Sequence, residues 1–166
     1  DAGYATLRYD KRGVGQSGGR IETVTLEDYA DDVMAVIKWL GKRDDVDPRR
    51  MAVVGHSEGG SVAMIAAAKE KKIASIVLVA ATGSTGADLV LEQQRHQLEL
   101  MKLPDTERQQ KIELQQKVQA AVISEKGWEG VPEEVRRQAD TAWFKSLLQF
   151  DPARVMPQIK QPILIL

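Results

Sequence analysis

Apolar residues recur in two rhythms along this chain, and the alternation between them predicts its architecture. Short runs rich in aliphatic and β-branched residues, at 4–8, 51–54, 74–81 and 163–166, have the length and composition of buried strands. Between them the period turns helical. Leu26, Tyr29, Ala30, Val33, Ile37 and Leu40 line one face of a helix, with Thr25 as N-cap, Asp28 at the N3 place of a box-like cap and Gly41 at the end. Residues 61–68 form a second, Ala-rich helical run. Strand, helix, strand, helix, strand in that order predicts right-handed crossovers and a parallel sheet flanked by helices, an α/β fold.

From residue 82 the pattern changes. A Gly/Ser/Thr loop at 83–86 leads into a Gln- and Glu-rich helix over 89–103. A second helix restarts at Pro104-Asp105-Thr106 and runs to 124, and a loop at 127–132 carries Trp128. A third helix is expected over 133–150, with Trp143, Phe144, Leu147 and Leu148. The apolar spacing is too irregular for heptads, so a coiled coil is not the reading. A helical insertion of this size between two sheet strands predicts a cap over the strand ends. The expected division is a core over 1–82, an inserted helical cap over 83–150 and a return to a core strand over 151–166.

Composition narrows the function classes. The 166 residues are 43% hydrophobic with a net charge of -1, enough for one domain with a core and without the basic excess of a nucleic-acid binder. No apolar run reaches the length of a membrane span, so neither nucleic acid nor membrane is an expected partner. The lack of cysteine excludes disulfides, thiolate metal sites and a cysteine nucleophile, and leaves the compartment open. Nothing bears on oligomeric state. The first residue is not Met and the last five read as a buried strand, so a piece of a longer protein is expected.

The chemistry concentrates in Met51-Ala52-Val53-Val54-Gly55-His56-Ser57-Glu58-Gly59-Gly60. Strand, Gly-x-Ser-x-Gly turn and helix in that order make a nucleophile elbow, which presents a serine hydroxyl at the top of a parallel sheet. Ser57 is expected in a strained conformation, with Gly55 and Gly59 leaving room for strand and helix to approach. The alternative is a Gly/Ser turn with no chemistry. A second glycine-rich loop, residues 9–19, contains Gly13 and Gly15 but lacks both the third glycine of a dinucleotide site and a Gly-Lys-Ser/Thr. Asp10 and Arg12 are expected to pair and pin that loop. Asp28, Asp31 and Asp32 could suggest a metal; a solvated helix face near the positive helix end is the expectation. No cofactor and no metal are expected.

The two motifs together resemble the α/β-hydrolase superfamily, and the resemblance spans essentially the whole chain. Residues 8–17, Arg-Tyr-Asp-Lys-Arg-Gly-Val-Gly-Gln-Ser, are similar to that family's Asp-x-Arg-Gly-x-Gly-x-Ser loop, and Asp151-Pro152 resembles the return from a helical cap into the sheet. Within the superfamily the chain most resembles bacterial carboxylesterases and serine-aminopeptidase-type (S33-like) hydrolases. The resemblance implies Ser57 as the nucleophile, forming an acyl-enzyme from an ester or amide, and the backbone N–H of Glu58 as one oxyanion donor. His56 is expected to point away from the hydroxyl, His96 to lie on the surface, and the Glu58 side chain to be a first-turn helix acid. Chain order in the family is Ser, acid, His, which implies that the acid and the histidine follow residue 166 and that the second oxyanion donor precedes residue 1. If the family's strand order 1-2-4-3-5-6-7-8 applies, 4–8 and 51–54 are not neighbours but stand about 10 Å apart.

Three functions compete. The first is a serine hydrolase, most simply a carboxylesterase acting on a small-molecule ester. An aminopeptidase-type amide hydrolase of the same fold is the second, and a non-catalytic binding protein that keeps the fold is the third.

Overall fold

The computed structural model describes residues 3–166. Its sheet has three parallel strands in the order β1 (Ala52–His56), β2 (Ser75–Val79), β3 (Ile163–Ile165), so order in space follows order in the chain. The register sets Val54 beside Val77 and Val77 beside Leu164. The parallel α/β sheet flanked by helices is as expected from the hydrophobic pattern.

Two helices build the core against one face of this sheet. Helix α1 (Leu26–Leu40) begins with the predicted capping box: the Thr25 side chain accepts from the Asp28 N–H, and Asp28 accepts from the Thr25 N–H at 2.9 Å. It buries Leu26, Tyr29, Ala30 and Ile37. Helix α2 (Glu58–Lys69) is buried continuously from Gly60 to Ala67. Small residues let it lie between α1 and the sheet. Among the described residues no helix is long and apolar enough to cross a membrane.

Between β2 and β3 run α3 (Gly86–Leu100), α4 (Asp105–Ser124), α5 (Glu133–Ala139) and α6 (Ala142–Gln149). They share a small cluster of their own, centred on Val118, Val122, Ala139 and Leu148. A short helix, α7 (Pro152–Val155), N-capped by Asp151, then leads into β3.

Three expectations about elements need correction. Residues 4–8 form no strand; the segment is exposed and no ladder joins it to β1, because an apolar run becomes a strand only where a neighbour takes its backbone groups. The single helix expected over 133–150 is two. Asp140, at φ -79 and ψ 66, leaves the helical region, and the Thr141 side chain caps α6 by accepting from the Phe144 N–H. The first insertion helix starts three residues early, at Gly86, because the Thr85 hydroxyl caps it by accepting from the Asp88 N–H.

Candidate active site

β1 continues through Gly55 and His56 before the chain turns sharply at Ser57 into α2. Ser57 has φ 53 and ψ -118, a left-handed conformation that costs a non-glycine residue on the order of 1–3 kcal/mol. One long-range and one local backbone bond hold it there. The Ser57 N–H donates to Val79 O and the Gly60 N–H donates to Ser57 O, both at 2.9 Å. The side chain is exposed, and among the described residues Oγ has no hydrogen-bond partner. The Glu58 N–H opens α2, where the helix itself supplies no acceptor.

The glycines of the turn divide their work differently from the expectation. A Cβ on Gly55 would overlap the backbone of Gly59 and Gly60, so strand and helix do approach there. A Cβ on Gly59 would meet nothing. The second close approach belongs to Gly60, whose Cβ would overlap that of Ala81. The Gly59-Gly60 doublet was the signal, and its second member is the one packed against the end of β2.

Asp10 and Arg12 do not pair. Arg12 reaches Asp32 with two guanidinium nitrogens, at 2.8 and 2.5 Å, and Asp28 at 3.5 Å. Hydrogen bonding to Asp32 raises the Arg12 pKa, while the Thr25 N–H and hydroxyl pull the Asp28 carboxyl below its ordinary range. Two of the three acids read as a solvated face therefore anchor the glycine loop; Asp31 stays exposed. Asp10 instead shapes the loop internally. Its carboxylate accepts from the Gln16 N–H at 3.0 Å and its carbonyl accepts from the Ser17 hydroxyl at 2.6 Å. Gly13 and Gly15 take positive φ, 79 and 57, and a Cβ on Gly15 would overlap the Asp10 carboxylate.

The Glu58 side chain is more than a first-turn acid. Lys11 Nζ donates to Oε1 at 2.7 Å and the Trp143 indole N–H donates to Oε2 at 2.6 Å. Lys11 also stands 4.9 Å from the centroid of the Tyr29 ring. The Tyr29 hydroxyl below is buried without a partner among the described residues, and burial raises its pKa. His56 and His96 are both exposed, and neither hydrogen-bonds to Ser57. Among the described residues no three His, Asp or Glu side chains gather where they could hold a metal. The site thus joins an exposed hydroxyl, an open helix N-terminus and a carboxylate that holds one donor on each oxygen.

A family model described as "Serine aminopeptidase, S33" matches residues 1–129. The human mitochondrial palmitoyl-protein thioesterase ABHD10 is 34% identical over 84 residues, 50% of this chain and 26% of that protein. A 31.7 kDa protein of the traX-finO intergenic region of Escherichia coli is 34% identical over 77 residues, 46% of this chain and 27% of that one. This chain therefore aligns with only about a quarter of the length of these relatives. Among solved structures, the α/β hydrolase GrgF from Penicillium superposes with a TM-score of 0.54 at 20% identity, covering 93% of this chain and 57% of that one. That likeness shows the fold.

Proposed function

Because the chain belongs to the serine aminopeptidase family of α/β-hydrolases, we propose that Ser57 is the nucleophile of a serine hydrolase whose substrate is a carboxylic ester. The observation that carries this is the positive-φ Ser57, exposed and unpaired between β1 and α2. A strained serine at a strand-to-helix turn has a use when its hydroxyl must attack and its neighbour's N–H must receive the oxyanion.

In this reading Ser57 Oγ attacks the ester carbonyl carbon and its proton passes to a general base. The carbonyl oxygen takes up negative charge facing the Glu58 N–H at the positive end of α2. The C–O bond to the alcohol breaks, the alcohol leaves with the proton, and water then hydrolyses the acyl-serine. Neither His56 nor His96 hydrogen-bonds to Ser57; in the family's chain order the acid and then the histidine follow the nucleophile. The helical segment 83–150 serves as the cap that shields the acyl group.

Two points favour ester over N-terminal peptide. The carboxylate next to Ser57 is already bonded to Lys11 and Trp143, leaving it poorly available to bind a substrate amine. A relative named as a palmitoyl-protein thioesterase also points to acyl transfer from an ester-like carbonyl. Expressed from its complete reading frame, the protein is expected to hydrolyse p-nitrophenyl butyrate faster than aminoacyl p-nitroanilides. Ser57→Ala is expected to lower that rate by at least about 1000-fold. Activity that survives Ser57→Ala would overturn the assignment.

A further inference from the structure

Glu58 occupies the first position of α2, where a carboxylate ordinarily sits in solvent and gains from the helix dipole alone. Here each oxygen is taken by a different part of the chain. Lys11, from the loop after the N-terminal segment, holds Oε1 at 2.7 Å, and Trp143, on α6, holds Oε2 at 2.6 Å. The partners stand 47 and 85 residues away in sequence. Both donors are themselves fixed: Lys11 lies over the ring of Tyr29, which is 3% exposed, and Trp143 packs against the main core. Short bonds to an ionised carboxylate are about twice as strong as neutral ones.

We propose that the Glu58 carboxylate is a positioning residue, tying the Ser57–Glu58 peptide to Lys11 and to helix α6 so that the oxyanion donor keeps its aim. This rests on the hydrolase reading above. The direction of the Glu58 N–H follows from Ser57 ψ, -118, and that N–H lies ahead of the first intrahelical bond, so the helix ladder does not hold it. The residue that carries the donor is therefore restrained through its own side chain. Position matters steeply here, since a misplacement of about 1 Å can cost on the order of 100-fold in rate. The same carboxylate makes α6 part of the site: a shift of α6 pulls on Trp143, Trp143 on Glu58, and Glu58 on the donor.

The test has a kinetic and a structural arm, both on the protein expressed from its complete reading frame. Glu58→Gln keeps the size of the side chain but has one acceptor where two are needed. It is expected to lower kcat for p-nitrophenyl butyrate about 10-fold, with KM changed less than about 2-fold. Trp143→Phe removes one hydrogen bond and keeps the packing; it should lower kcat several-fold in the same manner. The double variant should be no slower than Glu58→Gln alone, since both cut one chain of contacts. In the structural arm, the Trp143 indole proton is expected to exchange at least about 10-fold more slowly than those of Trp39 and Trp128, and to lose that protection in Glu58→Gln. Unchanged kcat in Glu58→Gln, while Ser57→Ala abolishes turnover, overturns the positioning role and spares the hydrolase reading. Turnover that survives Ser57→Ala sinks the hydrolase reading and the proposal that rests on it; the indole exchange then decides only whether the contact itself exists. Should Glu58→Gln fold poorly, the kcat and KM split is read on Trp143→Phe, and an unchanged kcat there overturns the proposal.

Discussion

The turn at Ser57 and the helical segment that follows β2 are held by different means. Around Ser57 the turn is fixed by the buried helix behind it and by the parallel ladder: α2 is buried from Gly60 to Ala67, β1 pairs with β2 from Ala52 to His56, and a Cβ on Gly55 or Gly60 would collide with the Gly59 backbone or with Ala81. In the segment, α4 is the longest helix, yet it buries only Ile112, Val118, Gln119, Ala121 and Val122. The four helices share one small cluster, and α6 makes the main contact with α1 and the turn before it. Trp143 and Leu147 enter the main core from α6, and Ser146 Oγ accepts from the Leu26 N–H at 3.0 Å. The turn at Ser57 is therefore placed by the main core, whereas the segment is tied to that core chiefly through one helix.

Substitutions can break this contrast at either side. The largest effect is expected for Gly55→Ala, whose new methyl collides with backbone; a loss of about 3 kcal/mol or more follows, read as a collapse of thermal stability. Gly59→Ala is its control. Open space and a helical position make it neutral or stabilising by up to about 1 kcal/mol, and equal losses in the two variants would contradict the division of labour between these glycines. Next in size is Gly86→Ala. Its Cβ would strike the carbonyl of Leu147, so a loss of about 2 kcal/mol is expected, confined to the segment. Hydrogen exchange should quicken across α3 to α5 and stay unchanged in β1, α2 and β2; uniform quickening would show that the two regions unfold as one.

The smallest effect belongs to the cap of α1. Asp28→Ala removes half of the capping box and should cost about 1 kcal/mol near neutral pH. The Asp28 carboxyl is held below its ordinary range, first by the Thr25 N–H and then by the Thr25 hydroxyl. A depressed folded pKa gives stability that is present above the unfolded value of about 3.9 and is lost as pH falls through the folded one. Urea denaturation of the two proteins should therefore differ at pH 7 and converge in acid below about pH 4. A gap that persists at low pH would assign the effect to packing rather than charge.

What could be read from the chain beforehand follows the range of the forces involved. The α1 cap was legible because Thr25 and Asp28 are three residues apart, and the Ser57 turn because strand, glycines and helix are contiguous. Thr141 is a cap signal too, but an unbroken apolar face over Trp143, Phe144 and Leu147 masked it. The contacts that organise the site were not legible. Arg12 chooses Asp32 over Asp10 because folding brings α1 to the loop, and Glu58 meets Trp143 from 85 residues away. Residues 4–8 failed in the opposite sense: their composition suits a strand, but a strand is a property of two segments.

The two ends of the helical segment meet. The Gly86 N–H donates to Phe150 O at 2.9 Å, which pinches the segment shut at its base. For the growing sheet, this changes the entropy of closing a loop. An open chain joining β2 to β3 would be several times longer than the β1–β2 crossover, and each doubling of length costs about 0.6 kcal/mol. With the pinch made, the free chain that must be ordered to seat β3 reduces to the short stretches on either side of it. Four helices can therefore stand between neighbouring strands and add little to the entropy of bringing those strands together.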